Sequence, residues 1–300
     1  MIRSLRCRVW PRLLLSLVLL AACRAAPAQS ADALRARYAA AEAAARAGGN
    51  PFDRPLYLQS SETSSRQQAD VVAVVDAPYA DVRALLTRAD AWCSILILHL
   101  NVKYCRASPA PGLDVAIGRK TDEPLADAYW VAFAWRLVAD ADGYLDVALA
   151  APDGPLSTKD FRIEVEAAPE GERRTLLHMT YAYAHGTAAR MAMQLYLSTI
   201  GSGKVGFSVT GRDADGQPVR VGGMRGVLER NTMRYYLAIE AALAARALPP
   251  AQRVQKSLND WFDATEHYPQ LHELGRDDYL ATKRHEVQRQ ATEAPPARGR

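Results

Sequence analysis

The chain has 300 residues, 49% of them hydrophobic and 23% charged, enough to bury a substantial core as one large domain or two small ones. Its formal charge of +4 falls to zero when Arg3, Arg6, Arg8 and Arg12 are set aside (+4 minus four), because they lie in an N-terminal segment read here as removed. Without a surplus of Lys and Arg to neutralise phosphates no nucleic-acid partner is expected, and without a glycine-rich phosphate loop no nucleotide cofactor is expected.

The first twelve residues carry four arginines and no acid, Leu13 to Ala22 is almost wholly apolar, and small residues follow at Ala25, Ala26 and Ala28. That is the order of a secretory signal. Its apolar run is shorter than the roughly 20 residues of a spanning helix. Two cleavage readings are open. Ala26-Pro27-Ala28 suits an ordinary signal peptidase and removes 1–28, whereas Leu20-Ala21-Ala22-Cys23 resembles the bacterial lipobox, removes 1–22 and leaves Cys23 lipidated as a membrane anchor. Both predict an exported, periplasmic chain. Of the four cysteines, Cys7 leaves with the signal and Cys23 is lost or acylated, so Cys93 and Cys105 are expected to form a disulfide in an oxidising compartment. The alternative of two free thiols on a metal lacks a second Cys or His pair at zinc spacing.

Ala31 to Ala47 is rich in Ala, Arg and Glu and reads as a helix stopped by Gly48-Gly49-Asn50-Pro51. Ser60 to Gln68 reads as a linker or exposed loop. Val71 to Val75 is a buried-strand pattern bounded by Asp76 and Pro78. From Tyr79 the apolar period becomes helical through Val82, Leu85, Leu86 and Ala89, and this helix is expected to reach Trp92 to Leu96. Leu98, Leu100, Val102 and Tyr104 then alternate with His99, Asn101, Lys103 and Cys105 as in a half-buried strand.

Alternating runs at Tyr129 to Leu137, Leu145 to Leu149, Phe161 to Val165 and Leu177 to Tyr183 are separated by Asp140-Ala141-Asp142-Gly143, Pro152-Asp153-Gly154-Pro155 and Pro169-Glu170-Gly171, which predicts an antiparallel meander. Thr187 to Ile200 has helical spacing and reads as a short helix or flap, with Met191, Met193 and Leu195 as its adaptable apolar side chains. Strands are expected at Lys204 to Val209 and Pro218 to Gly222. Met224 to Leu243 carries the longest apolar stripe and predicts a helix lying on the sheet, stopped before Pro249-Pro250. Two polar helices, Gln252 to Glu266 and Gln270 to Gln290, and a frayed tail complete the chain.

A buried strand at Val71 to Val75 followed by Pro78-Tyr79, Trp92 at the end of the first helix, a run of antiparallel strands, and a long late helix at Met224 to Leu248 together resemble the START-related helix-grip superfamily (SRPBCC) over about Gln68 to Leu248. The resemblance implies an α+β fold in which a curved antiparallel sheet wraps a long C-terminal helix, here with extra helices at both ends. The expected division is an N-terminal helix and linker at 29–67, a ligand-binding domain at 68–248, a helical extension at 249–292 and a disordered tail at 293–300. It also implies an apolar small molecule or lipid bound between sheet and helix. In some branches cyclase or hydrolase chemistry takes place in that cavity. About 300 Å³ of empty apolar cavity would cost on the order of 7 kcal/mol, so such a space must collapse, admit water or hold a ligand.

The six histidines contain no HExxH pair, and no metal site or cofactor is expected. Tyr129, Trp135, Tyr181 and Tyr183 lie on strand faces, where they are either plain core or cavity wall. Asn231 sits on the apolar stripe of the late helix with Tyr235. Its amide needs a partner, either Arg162, a strand backbone or a ligand. His99, Asn101 and Lys103 share a face that is either the wet side of a strand or a set of polar groups orienting a ligand. Binding at Trp135, Tyr129, Tyr181, Tyr183, Asn231, Tyr235, His99 and Lys103 is the leading expectation. An enzyme using His99 or His178 as acid-base with Lys103 or a tyrosine is the alternative, as is a structural envelope protein whose C-terminal helices bind an unidentified protein partner.

Overall fold

The computed structural model describes residues 30–108, 111–187, 191 and 203–293. Eight strands form one antiparallel sheet: β1 (Leu56–Glu62), β2 (Arg66–Val75), β3 (Val102–Ser108), β4 (Gly112–Ile117), β5 (Tyr129–Ala141), β6 (Tyr144–Asp153), β7 (Thr158–Pro169) and β8 (Thr175–His185). Their spatial order is β1-β2-β8-β7-β6-β5-β4-β3. The meander therefore runs from β3 to β8 and closes on β2, where Ala69 pairs Tyr181 and Val71 pairs Met179. Between β5 and β6 the chain turns in two residues, and Gly143 (φ 76°) takes the left-handed conformation that a side chain disfavours.

Six helices are described: α1 (Ala31–Gly48), α2 (Tyr79–Leu86), α3 (Ala89–Leu96), α4 (Gly223–Ala245), α5 (Pro250–Glu266) and α6 (Arg276–Thr292). Ser30 opens α1, its hydroxyl accepting from Ala33 N at 3.2 Å. The long α4 lies across the curved sheet, nearest to β2, β1 and β8. Period-two alternation sends odd-numbered residues of β2, β6, β7 and β8 to the α4 side: Val71, Val147, Leu149, Ile163, Val165 and Met179 join Val82, Trp92, Leu228 and Ile239 in the main core. The opposite face is partly covered by α1, whose Leu34 packs on Val72, Ala168 and Leu176. Cys93 of α3 and Cys105 of β3 are joined as the sequence predicts, with Cα atoms 5.2 Å apart.

Several local expectations are corrected. Ser60 to Gln68 is no linker: β1 and the start of β2 form a hairpin about Thr63, whose hydroxyl accepts from Arg66 N at 3.0 Å. Ser61, Glu62 and Arg66 are exposed, whereas Gln67 is buried and Ser60 Oγ accepts from Arg225 Nε of α4 at 2.6 Å. The helix from Tyr79 breaks at Thr87-Arg88. There Thr87 Oγ1 donates to Arg83 O at 2.8 Å, Arg88 is extended, and Leu86 O accepts from Trp92 Nε1 at 2.9 Å. The strand after α3 begins only at Val102, and a bulge at Lys103 breaks the alternation on which His99, Asn101 and Lys103 were placed together. Lys204 to Ser208 is not a strand, because Phe207 N and Ser208 N donate to the buried Glu229 carboxylate at 2.6 and 2.9 Å. A separate small sheet pairs β9 (Val209–Arg212) with β10 (Pro218–Arg220). The last two helices are amphipathic: Leu258, Trp261, Phe262, Tyr279 and Leu280 belong to the main core. The flap expected at Thr187 to Ile200 lies outside the described residues apart from Thr187 and Met191, as do Cys23 and the signal segment.

Candidate functional site

The face of the sheet turned toward α4 is built in rows by strand register. Trp135 pairs Leu149, Leu149 pairs Ile163, Ile163 pairs Tyr181 and Tyr181 pairs Ala69. One step along, Ala151 pairs Phe161 and Tyr183 pairs Gln67. Phe161 stacks on Tyr183 at 5.3 Å between ring centroids, Tyr181 meets Tyr235 of α4 at 5.5 Å, and Tyr235 stacks on His99 at 4.5 Å. Five of the expected ligand residues, Tyr181, Tyr183, Asn231, Tyr235 and His99, are thus brought to one region, and Trp135 stands on the same face in the row of Tyr181, three strands away.

Over residues 226–239, α4 is buried except at Val227, Asn231 and Tyr235. These are four apart and form one stripe. Since Tyr235 touches Tyr181, the partly accessible line of the helix is the one that looks at the aromatic face of the sheet. Val227, Asn231 and Tyr235 are thus the half-buried residues of an otherwise buried stretch of α4.

Polar atoms border this space without partners. Gln67 is 0% exposed, and neither its amide oxygen nor its nitrogen is hydrogen-bonded. His185 is 5% exposed with both ring nitrogens unpaired, and Trp135 Nε1 is unpaired as well. His99, 2% exposed, accepts from Asn101 N through Nδ1 at 3.1 Å, so its neutral ring carries hydrogen on Nε2, which has no partner. Burial, then the charges of Arg234 and Lys283, holds His99 well below its ordinary pKa and therefore neutral. Burial likewise raises the phenols of Tyr181, Tyr183 and Tyr235, which stay protonated donors. Interiors seldom leave such groups unmatched, and each costs about 1–3 kcal/mol when they do.

Asn231 finds neither of its expected protein partners. Arg162 points to the other face and pairs Glu164, while Asn231 Oδ1 receives a long contact from Arg234 Nη1 at 3.4 Å. Tyr129 lies at the β5 edge, 43% exposed. Lys103 is placed elsewhere: wholly buried beneath α6, it donates to Glu286 Oε1 at 2.8 Å and Leu100 O at 3.0 Å. Gln67 and His185 escaped the sequence reading: His185 continues its alternation 177-179-181-183, whereas Gln67 lay in the stretch expected to be a linker and shares the inward parity of Val71 and Val75 only once β2 extends to Arg66.

The two histidines proposed as acid-base groups lie on opposite faces of the sheet. His178 faces outward into a pocket of about 380 Å³ beside α1, donating to Asp70 Oδ1 at 3.0 Å and Glu166 Oε2 at 2.6 Å. Burial would lower its pKa, but the hydrogen bonds to Asp70 and Glu166 outweigh it and the pKa is raised. Glu166, opposed by burial but bonded by His178 and Tyr144, falls to about 2. Arg37 of α1 pairs the same Glu166, so this cluster pins α1 to the sheet. Among the described residues no group of three or more His, Cys, Asp or Glu is arranged to hold a metal ion, and no helix is long and apolar enough to cross a membrane.

No family model and no curated protein matches the chain. Among solved structures it is similar to a START superfamily protein from Mycobacterium smegmatis (11% identity, TM-score 0.31, 45% of this chain and 94% of that one). It is also similar to truncated norcoclaurine synthase from Thalictrum flavum (12%, 0.32, 48% and 91%) and to the human StarD13 lipid transfer and protein localization domain (8%, 0.30, 44% and 73%). The fold reading rests on the chain itself: β2, the α2–α3 pair, the meander β3 to β8 closing back on β2, and α4 laid across it. By that order of elements the chain has the START-type helix-grip fold.

Proposed function

We propose that this protein binds an apolar or amphiphilic small molecule, with a lipid as the favoured class, between the aromatic face of the sheet and α4. The observation that carries the reading is the stripe of Val227, Asn231 and Tyr235, left partly open on the one side of α4 that faces Phe161, Tyr181 and Tyr183. Aromatic rings supply apolar wall, and Gln67, His185, Trp135 and His99 supply hydrogen-bonding groups that lack protein partners. Binding needs no chemistry at this site, and burial holds His99 neutral. The N-terminal segment supports export, with the mature chain periplasmic and, if Cys23 is acylated, membrane-anchored; mass spectrometry of the mature N-terminus decides between the two cleavage sites.

Solvent extraction of the purified protein followed by mass spectrometry is expected to recover one lipid class reproducibly. Val227→Trp, which fills the open stripe, is expected to abolish that recovery while leaving the far-ultraviolet circular dichroism unchanged. Repeated extraction without a specific molecule, or full recovery from V227W, argues against the assignment.

A further inference from the structure

At the His99 end of the space four cations converge on one carboxylate. Glu273 receives Lys120 Nζ at 2.6 Å and Lys204 Nζ at 2.8 Å on one oxygen, and Arg234 Nη2 at 3.1 Å together with Arg230 on the other. The two arginines are one turn apart on α4 and buried. The two lysines are about one-third exposed, which leaves the cluster open to solvent on their side. Arg230 and Arg234 also donate to Gln270 O and Leu271 O at 2.8 and 3.0 Å, so the backbone around Glu273 is held while its side chain supplies the only negative charge of the five groups.

Four cationic side chains share this one carboxylate, and desolvated cationic groups are costly unless matched. Burial, then Lys204, Arg234 and Arg230, pushes Lys120 down to about 6 even with its ammonium against Glu273, and burial followed by Arg230 lowers Arg234 to about 9. Two further donors point to the same need. Arg234 Nε is buried without a partner, and His99 Nε2, beside Asn231 and Arg234, carries an unpaired hydrogen. Glu273 sits in the irregular stretch 272–275 between a short helical turn and α6, where a side chain can swing away without breaking an element.

We propose that Lys120, Lys204, Arg230 and Arg234 form the seat for the anionic group, a carboxylate or phosphate, of the bound molecule, and that Glu273 occupies this seat until the ligand displaces it. The inference rests on the binding reading above for the apolar part of the ligand. The anion itself could belong to an amphiphile or be a free phosphate, since a guanidinium pair and two ammoniums recognise the oxygens of either.

Calorimetric titration of the full mature chain with oleate, oleyl alcohol and inorganic phosphate separates these cases. Oleate is expected to bind more tightly than oleyl alcohol and to weaken on the order of tenfold in Lys120→Ala/Lys204→Ala, whose changed residues are partly exposed and leave folding intact. Oleyl alcohol is expected to be indifferent to the same pair. Lysine-dependent binding of phosphate without oleate binding would keep the anion seat and remove the apolar reading. Equal binding of oleate and oleyl alcohol, unchanged in K120A/K204A, would overturn the seat and keep the apolar reading. Glu273→Gln is expected to tighten oleate binding severalfold, and unchanged affinity in that variant overturns the displacement.

Discussion

Asp146 lies on the outer face of β6, wholly buried, with neither carboxylate oxygen hydrogen-bonded. Burial, then the charges of Glu164 and Glu166, raises it to about 6, against the opposing pull of Arg162 and His178. A carboxyl whose folded pKa exceeds its unfolded one binds a proton on folding. Its contribution is therefore present below the unfolded value near 3.9 and lost as pH rises through about 6. Asp146→Asn is expected to leave thermal stability unchanged at pH 3.5 and to raise it at pH 7.5 by about 1–2 kcal/mol, read as a shift of several degrees in the calorimetric midpoint. Equal midpoints at both pH values would show that Asp146 is not the strained group. Glu166 runs the other way: held near 2 by His178 and Tyr144, it stabilises the fold above its unfolded pKa and loses that contribution as pH falls toward 2.

Elements are held to one another by a few buried devices. Lys103 of β3 and Lys283 of α6 share the carboxylate of Glu286, at 2.8 and 2.7 Å, and all three side chains are sealed from solvent. Burial lowers Lys283 to about 8 despite this partner. Glu286→Gln strands two buried ammoniums and is expected to cost about 3–5 kcal/mol in urea unfolding. The triple change K103M/K283M/E286L, which removes the charges together, is expected to cost far less. A loss in the triple variant equal to that of E286Q would mean that shape, not charge, holds α6. Gly226 marks a second junction. A Cβ there would come within 2.8 Å of Val221 O and 3.1 Å of Gly206 N, backbone atoms already bonded to each other at 2.7 Å. Alanine improves helix propensity by nearly 1 kcal/mol, yet backbone cannot rotate aside, so G226A is expected to destabilise by about 1–3 kcal/mol net. Gly211→Ala, which meets nothing within 4 Å, serves as the near-neutral control.

On the scale of the molecule, α5 and α6 close the fold. Trp261 Nε1 donates to Arg234 O at 3.0 Å, Tyr279 OH donates to Leu98 O at 3.0 Å, and the two rings stack at 4.9 Å. They seal one side of α4, which sharpens the contrast with its open stripe. A chain truncated after residue 249 is expected to lose near-ultraviolet circular dichroism and cooperative unfolding; a truncated chain that unfolds in a single sharp transition would show that the helix-grip part stands alone.

What the sequence determined by itself was whatever repeats locally. Period-two runs and turn residues marked β5 to β8, the 3.6-residue stripe marked α4, and two cysteines left after the expected signal segment marked their bond, because each signal depends only on the sequence itself. Tyr181, Tyr183 and Tyr235 could be nominated for one space since alternation and stripe each declare a face. Tertiary structure decided the rest. Lys103 went beneath α6 because a bulge and a distant carboxylate outweighed strand parity. His99 and His178 parted because one precedes the sheet and the other stands on its outer face. Gln67 and His185, polar and unremarkable in a list of residues, became candidates only once burial without a partner was visible. The four cations around Glu273, from three separate segments, could be assembled by no pattern shorter than the fold.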